Sequence, residues 1–380
     1  MIYLDYNATT PLDKDVLRVM QPYLTKEYAN PASIYRFSQR ALKAIEDARF
    51  SVARLIHAGH EEVIFTSGGT ESNNLAIKGI ALNNKNKGRH IITSKIEHDS
   101  VLNPCKFLES TGFEVTYINV DNYGVVDLEE LEKSIKKETI LVSIMHANNE
   151  TGVIQPIEEA AKICKTKGVL FHTDAIQSAG KIPLDVNTGV DILSMAGHKF
   201  CGPKGIGALY VRKGIELCPL IHGGHQELDR RAGTENVAGI VGLSKAFSLA
   251  NSSFKKTQKH ITELRILLER GLKEIDGIKV NGHSRKTLYN TLNVSIENVE
   301  AASLLVKLDL EGICISAGSA CKSGSSEPSH VLLAMGLSRE LSKAAVRFSL
   351  GKYNTEKDIH KTIRILKKAV SGLRKISSSG

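Results

Sequence analysis

Short apolar runs alternate with helix-length segments between residues 62 and 172, and this alternation constrains the fold more than any other feature. The runs 62–65, 90–93, 114–118, 140–145 and 169–172 are each too short for a helix. Segments such as 128–135 and 157–167 separate them, and upstream Leu42, Ile45, Ala48, Val52 and Leu55 recur three and four apart. Strands that alternate with helices predict βαβ units and a mainly parallel central sheet flanked by helices, an α/β fold. Two further runs, 192–194 and 206–211, flank a loop rich in glycine and lysine. Beyond residue 250 a basic amphipathic segment, 254–273, precedes the β-like runs 278–280, 291–296, 313–315 and 345–349, which predict a smaller α+β domain. With 380 residues the chain exceeds what one core usually serves, so two domains are expected. The large one spans 12–250; the small one combines 1–11 with 251–380.

Composition removes several function classes. Hydrophobic residues are 42% and charged residues 24%, with no long apolar run, which excludes a disordered chain and a membrane-spanning helix. The first residues, MIYLDYNATTP, lack the basic flank and apolar stretch of an export signal. Six cysteines without CxxC pairs suit reduced thiols in a cytoplasmic protein. A net charge of +9 invites a nucleic-acid reading, but much of the excess lies on 254–273 and 357–375, where lysines alternate with an apolar face. Neither a nucleic acid nor a membrane is an expected partner.

Three motifs point to chemistry. The run 62–65 leads into Ser67-Gly68-Gly69-Thr70 and then a helical pattern resuming at Asn73, so backbone N–H groups and a helix dipole can meet an anion. The alternative is a helix capped by Ser67 or Thr70 with no ligand. His172 and Asp174 end an apolar run and are expected at the C-terminal edge of the sheet, where ligands of such folds bind. Asp174 could face a cation such as a protonated pyridine, cap a helix, or pair with His172 on a metal; further metal ligands are not evident, and no metal is expected. Lys199, in Gly197-His198-Lys199, follows a run of small residues between two apolar runs. A lysine desolvated there can form a Schiff base, although a basic turn is the commoner meaning of such a sequence. Together, the three suit the phosphate, pyridinium and aldehyde of pyridoxal phosphate.

Through these motifs the chain resembles the cysteine desulfurases of the NifS/IscS-like branch, class-V aminotransferases and fold-type I pyridoxal-phosphate enzymes. The resemblance runs from 3–11 through 347–351 and rests on TSGGTESNN at 66–74, Glu97-His98, NNETG at 148–152 and Gly197-His198-Lys199. It implies that Lys199 carries pyridoxal 5'-phosphate, Asp174 bonds the pyridine nitrogen and Gln177 touches the ring hydroxyl. His98 would stack on the ring and act as acid and base, while Gly69, Thr70 and His198 bind the phosphate. Thr234, in RAGTEN at 231–236, would reach the cofactor of the other subunit, which implies a homodimer. Asn149 and Arg347 would hold the substrate carboxylate. Many relatives have serine where this chain has Ala196, which removes one phosphate donor, and many have histidine where it has Tyr35.

Cys321 lies in SAGSACKSGSSEP at 316–328, a stretch almost without bulky side chains. Such a stretch cannot pack a core and reads as a loop exposing its cysteine, with Lys322 favouring the thiolate. The resemblance makes Cys321 the nucleophile that accepts sulfur as a persulfide. Cys314, on an apolar run, is expected to be buried. The implied activity converts L-cysteine to L-alanine and passes sulfur to an acceptor such as an iron–sulfur scaffold protein. A selenocysteine lyase, which needs no thiol nucleophile, and a non-catalytic sulfur-scaffold or RNA-binding protein are the alternatives.

Overall fold

A computed structural model describes residues 1–317 and 327–377. A seven-stranded sheet has the spatial order Val63–Thr66, Gly207–Val211, Ile192–Ala196, Leu170–Asp174, Thr139–Ser143, His90–Ser94, Glu114–Ile118. Only Gly207–Val211 runs antiparallel to its neighbours; the remaining pairings are parallel. Successive side chains of a strand point to opposite faces, and the two faces are covered by different helices. Ile92, Val142 and Leu193 pack with Val52 and Phe247 from the helices Arg36–Leu55 and Val237–Ser252. Their neighbours Ile91, Leu141 and Ile192 pack on the other face with Ile80, Val101 and Leu108. Burial on both faces explains why these strands read as continuous apolar runs rather than alternating ones.

One helix starts earlier than the sequence pattern suggests. It begins at Gly69, not Asn73, and its middle, Leu75–Gly79, is a π-helical stretch. Gly69 to Asn74 carry almost no apolar side chains, because this turn faces the site described below rather than a core. Periodicity is therefore blind to it.

A second, four-stranded antiparallel sheet runs Ser316–Ala317, Ala345–Ser349, Thr291–Ile296, Ile278–Asn281. Leu292, Val294 and Phe348 pack on Leu264, Leu268, Ile359 and Leu366 from the two basic helices, Phe254–Lys273 and Glu356–Ser377. Lys255, Lys256 and Lys259 are exposed on the outer face of the first of these helices. The chain start returns to this unit: Ile2–Tyr3 pairs in parallel with Ile313–Cys314, and Leu4 enters the same core. Cys314 departs from expectation, being half-buried. In this two-residue strand Ile313 takes the inward position, at 1% exposure, so the next side chain points away from the core.

A strained segment leads into the Thr234 loop. Glu227, Leu228 and Asp229 all have positive φ, at 49°, 57° and 63°, a conformation costing roughly 1–3 kcal/mol for each such residue. Glu227 offsets it by accepting from Arg49 Nη1 (2.6 Å), Arg49 Nη2 (2.9 Å) and the Phe65 N–H (2.8 Å), in a buried, bidentate ion pair. The loop is thus tied to the strand that delivers the glycine-rich turn.

Candidate active site

The parallel strands end on one side of the sheet, and the residues that follow them line a cavity of about 240 Å³. Gly69 and Thr70 come from the glycine-rich turn, His98 follows His90–Ser94, and Asn149 follows Thr139–Ser143. Asp174 ends its strand, with Gln177 one turn later, and His198 and Lys199 follow Ile192–Ala196. This is the crevice in which ligands of open α/β sheets bind.

At one end of the cavity the helix from Gly69 presents its start. The first backbone N–H bonded back along this helix is that of Ser72, to Gly68 O (3.0 Å), so the amides of Gly69, Thr70 and Glu71 belong to the unbonded first turn. No side chain caps the helix, which removes the reading of Ser67 or Thr70 as a simple cap. Gly68 holds φ +152°, and a Cβ on Gly207 would sit 2.7 Å from the Gly68 carbonyl carbon. Glycine at both positions lets the turn lie directly on the neighbouring strand. Glu71 accepts from the Ser67 N–H (2.8 Å) and from Arg231 Nε (2.9 Å), joining the turn to the Thr234 loop. Thr234 itself is exposed and does not line the cavity of its own chain.

Asp174 is buried, its Oδ1 accepting from the Ile176 N–H (2.9 Å) and its Oδ2 from Asn73 Nδ2 (2.7 Å). Burial pushes its carboxyl upward, against the pull of those two donors. A positive group seated against it favours the charged form. His98 caps the helix Asp99–Ser110, its Nδ1 accepting from the Ser100 N–H (3.1 Å), and burial holds its ring below the ordinary histidine range. His198 is lowered to about 4, first by burial and then by Lys199, Lys204 and Lys181, so it is neutral at pH 7. Its Nδ1 meets Thr9 Oγ1 at 3.2 Å. The other histidine of the strand end, His172, lies between Ser143 and Ser194 inside the sheet, and burial lowers it to about 3. It is a packed core residue, not a ligand.

Lys199 Nζ donates to the backbone carbonyls of Asn7 (2.5 Å) and Ala8 (3.0 Å). Gln177 Nε2 donates to the same Asn7 carbonyl (3.0 Å). Arg347 is 1% exposed and stands behind Asn149, donating from Nη1 to the Asn149 carbonyl (2.9 Å) and pairing through Nη2 with Asp5 (2.6 Å). Its Nε has no partner among the described residues, and Arg347 itself does not line the cavity. Ala196 lines the cavity with a methyl group and adds no donor. Cys321 lies outside the described residues.

Four residues at the site carried no motif signal. Asn7 gathers Lys199 and Gln177, and Asp5 holds Arg347, although both lie about two hundred residues or more from Lys199 in the chain. Buried Lys181 donates to the Gln177 carbonyl (2.8 Å) and is pulled to about 7 by burial and by Lys199. Ser100 lines the cavity beside His98. An asparagine or lysine in isolation gives no periodic or spacing signal; only the MIYLDYNATTP segment, with polar residues at a strand-like chain start, hints at such a role.

The residues present fit pyridoxal phosphate on the chemistry of their donor set: unbonded first-turn amides and a threonine hydroxyl for a phosphate, a buried carboxylate for a protonated ring nitrogen, and an amine for a carbonyl. The comparisons agree. The family model for aminotransferase class-V matches residues 2–362. The chain is 52% identical over 378 residues to the cysteine desulfurase IscS of Dictyoglomus turgidum, covering 99% of this chain and 96% of that protein. It is similar to the solved structure of a NifS-like protein, with TM-score 0.93 and 41% identity, covering 98% of this chain and 99% of that one. A structure of SspA in complex with cysteine matches with TM-score 0.83 and 41% identity, covering 93% of this chain and 100% of that one. With helix start, carboxylate and lysine converging on one cavity and these likenesses spanning nearly its whole length, the chain belongs to the pyridoxal-phosphate-dependent class-V aminotransferases, in the IscS- and NifS-like cysteine desulfurase branch.

Proposed function

We infer that the protein is a cysteine desulfurase that converts L-cysteine to L-alanine and hands the sulfur to Cys321. The observation that carries this reading is the convergence of Lys199, Asp174 and the helix start at Gly69 on one cavity. Bound there, pyridoxal phosphate supplies an electron-poor ring that accepts the electron pair released at the substrate Cα. Lys199 Nζ is the covalent anchor and, once released, takes the Cα proton; its two carbonyl acceptors keep it at the mouth of Asn7 and Ala8. Asp174 would hold the proton of the ring nitrogen, Gln177 would meet the ring hydroxyl, and His98 would lie against the ring and exchange protons. Gly69, Thr70 and His198 bind the phosphate; neutral His198 can still donate from a ring N–H. Asn149 and, as the family resemblance implies, Arg347 hold the substrate carboxylate, with Asp5 fixing the guanidinium. Mixing purified, cofactor-loaded protein with L-cysteine and a thiol reductant tests the reading: alanine and sulfide form in equal amounts, and pyruvate with ammonia in place of alanine contradicts it.

The same reading divides the chain into a cofactor-binding domain, 12–250, and a small domain, 1–11 with 251–380, supported by the separate cores. A cytoplasmic setting is supported by the unpaired described cysteines; among the described residues no helix is long and apolar enough to cross a membrane. The sulfur acceptor is a protein that builds iron–sulfur clusters or another thio-cofactor.

Thr234 belongs to this function through a second subunit. It is exposed on a loop fixed by the Arg49–Glu227 and Arg231–Glu71 pairs, and the resemblance to the family implies that Thr234 of the partner subunit completes each phosphate site. A symmetric pair is the commonest way to achieve this. The active species is expected to sediment as a dimer, and Thr234→Ala to weaken cofactor binding about tenfold, the loss of roughly one hydrogen bond to a charged group. A fully active monomer at micromolar concentration removes Thr234 from the site.

A further inference from the structure

Between Asp174 and His98 runs a chain of hydrogen bonds through Asn73 and Ser100. Asn73 is buried on the first turns of the helix from Gly69, and its Nδ2 lies 2.7 Å from Asp174 Oδ2 and 2.8 Å from Ser100 Oγ. An amide nitrogen carries two protons and accepts none, so both bonds are donated by Asn73. The opposite amide orientation would set its oxygen against the Asp174 carboxylate. Ser100 Oγ accepts that bond, and because the Ser100 backbone N–H can only donate and also meets His98 Nδ1, that nitrogen is an acceptor and the Ser100 hydroxyl donates to it at 2.8 Å. The Ser100 backbone N–H points at the same nitrogen from 3.1 Å. An imidazole nitrogen that receives two donors is unprotonated, and the ring proton then resides on Nε2.

We propose that Asn73 and Ser100 are positioning residues of the reaction: Asn73 holds the Asp174 carboxylate by one amide proton, and through Ser100 it fixes His98 as the Nε2–H tautomer. The proposal rests on the roles given above to His98 and Asp174 and adds the device that sets both at once. Its two ends come from helices that follow different strands, Gly69–Asn74 and Asp99–Ser110, so Asn73 is distant in sequence from both Asp174 and Ser100, while Ser100 is a near neighbour of His98. Charging His98 at Nδ1 would turn both Ser100 donors against a third, in line with burial, which also holds the ring in its neutral form. Among the described residues, the groups whose charges reach this ring include Asp174, Lys199, Asp99 and His330. The Asn73 amide favours the ionised form of Asp174 against the burial that disfavours it.

The test is the ring-nitrogen resonance spectrum of the full-length protein labelled with nitrogen-15 histidine, before and after loading with pyridoxal phosphate, with His98 assigned by its loss in His98→Gln. His98 is expected as the neutral Nε2–H tautomer at pH 7. Ser100→Ala removes the hydroxyl donor and keeps the backbone one, so the Nδ1–H fraction of His98 rises measurably without becoming dominant and kcat falls on the order of tenfold with KM little changed, the scale of losing an outer partner of a functional histidine, while Ser100→Thr restores both. Asn73→Ala additionally moves the acidic limb of kcat/KM upward by about one pH unit, because Asp174 then protonates more easily. A proton on Nδ1 in the unmodified protein overturns the proposal, as does Ser100→Ala with an unchanged Nδ1–H fraction. Because the resonances need no turnover, a wild-type protein that shows the Nε2–H tautomer but makes no alanine from cysteine contradicts the proposed function and leaves the hydrogen-bond chain standing.

Discussion

Lys199→Ala abolishes covalent attachment of pyridoxal phosphate and lowers alanine formation from L-cysteine by on the order of 10⁴-fold, since one change removes both the anchor and the base at Cα. Other lysines cannot replace it. Lys204 is exposed, and Lys213 is exposed and paired with Glu61 at 2.6 Å. Lys181 is the serious competitor, because burial and the Lys199 charge pull it to about 7 and it lines a second small cavity shared with Lys199. Its Nζ, however, is turned onto the Gln177 carbonyl, and it is absent from the lining of the Asp174 cavity. Borohydride reduction of the loaded protein followed by peptide mapping decides between them. The label is expected on Lys199; recovery on Lys181, Lys204 or Lys213 contradicts the site as built here.

Cys321→Ser is the second large effect: the variant keeps the cofactor and its visible spectrum while alanine and sulfide formation fall by at least about 10³-fold. The step that needs Cys321 is attack on the substrate sulfur, and a serine hydroxyl, with a far higher pKa than a thiol, supplies almost no nucleophile at pH 7. None of the described cysteines lines the Asp174 cavity, half-buried Cys218 included. Burial pushes Cys105 and Cys164 up to about 12. Cys201 and Cys314 are also raised, Cys314 by burial and by Asp309 and Asp5. Steady-state assay of alanine by the variant is the check. Turnover near the wild-type rate returns the selenocysteine-lyase type of elimination, which needs no thiol, to first place.

The sequence was informative where chemistry forces a local pattern. Strand, glycine turn and helix start had to be contiguous for the anion site, and small residues had to surround Lys199, so both could be read directly. The strands 114–118, 291–296 and 345–349 and the helices 157–167 and 254–273 were likewise legible, because burial on a sheet or helix face writes a period into the chain. What could not be read were partnerships across long separations. Asn7 under Lys199, Asp5 on Arg347, and the Asn73–Ser100 link between Asp174 and His98 each depend on which strand ends the fold brings side by side. Polar residues of this kind make no periodic pattern. Cys314 was misread for a related reason: a two-residue strand has too little length to show which of its residues faces inward.

The central claim is that sulfur leaves L-cysteine for Cys321, and one measurement addresses it directly. The loaded protein is mixed with a single equivalent of L-cysteine without reductant, quenched, digested, and the peptide containing Cys321 is weighed by mass spectrometry while alanine is counted. A gain of one sulfur atom on Cys321 is expected, equal in amount to the alanine formed and removed by a thiol reductant. Alanine released with Cys321 unmodified, or the extra sulfur found on Cys201 or Cys314, would contradict it.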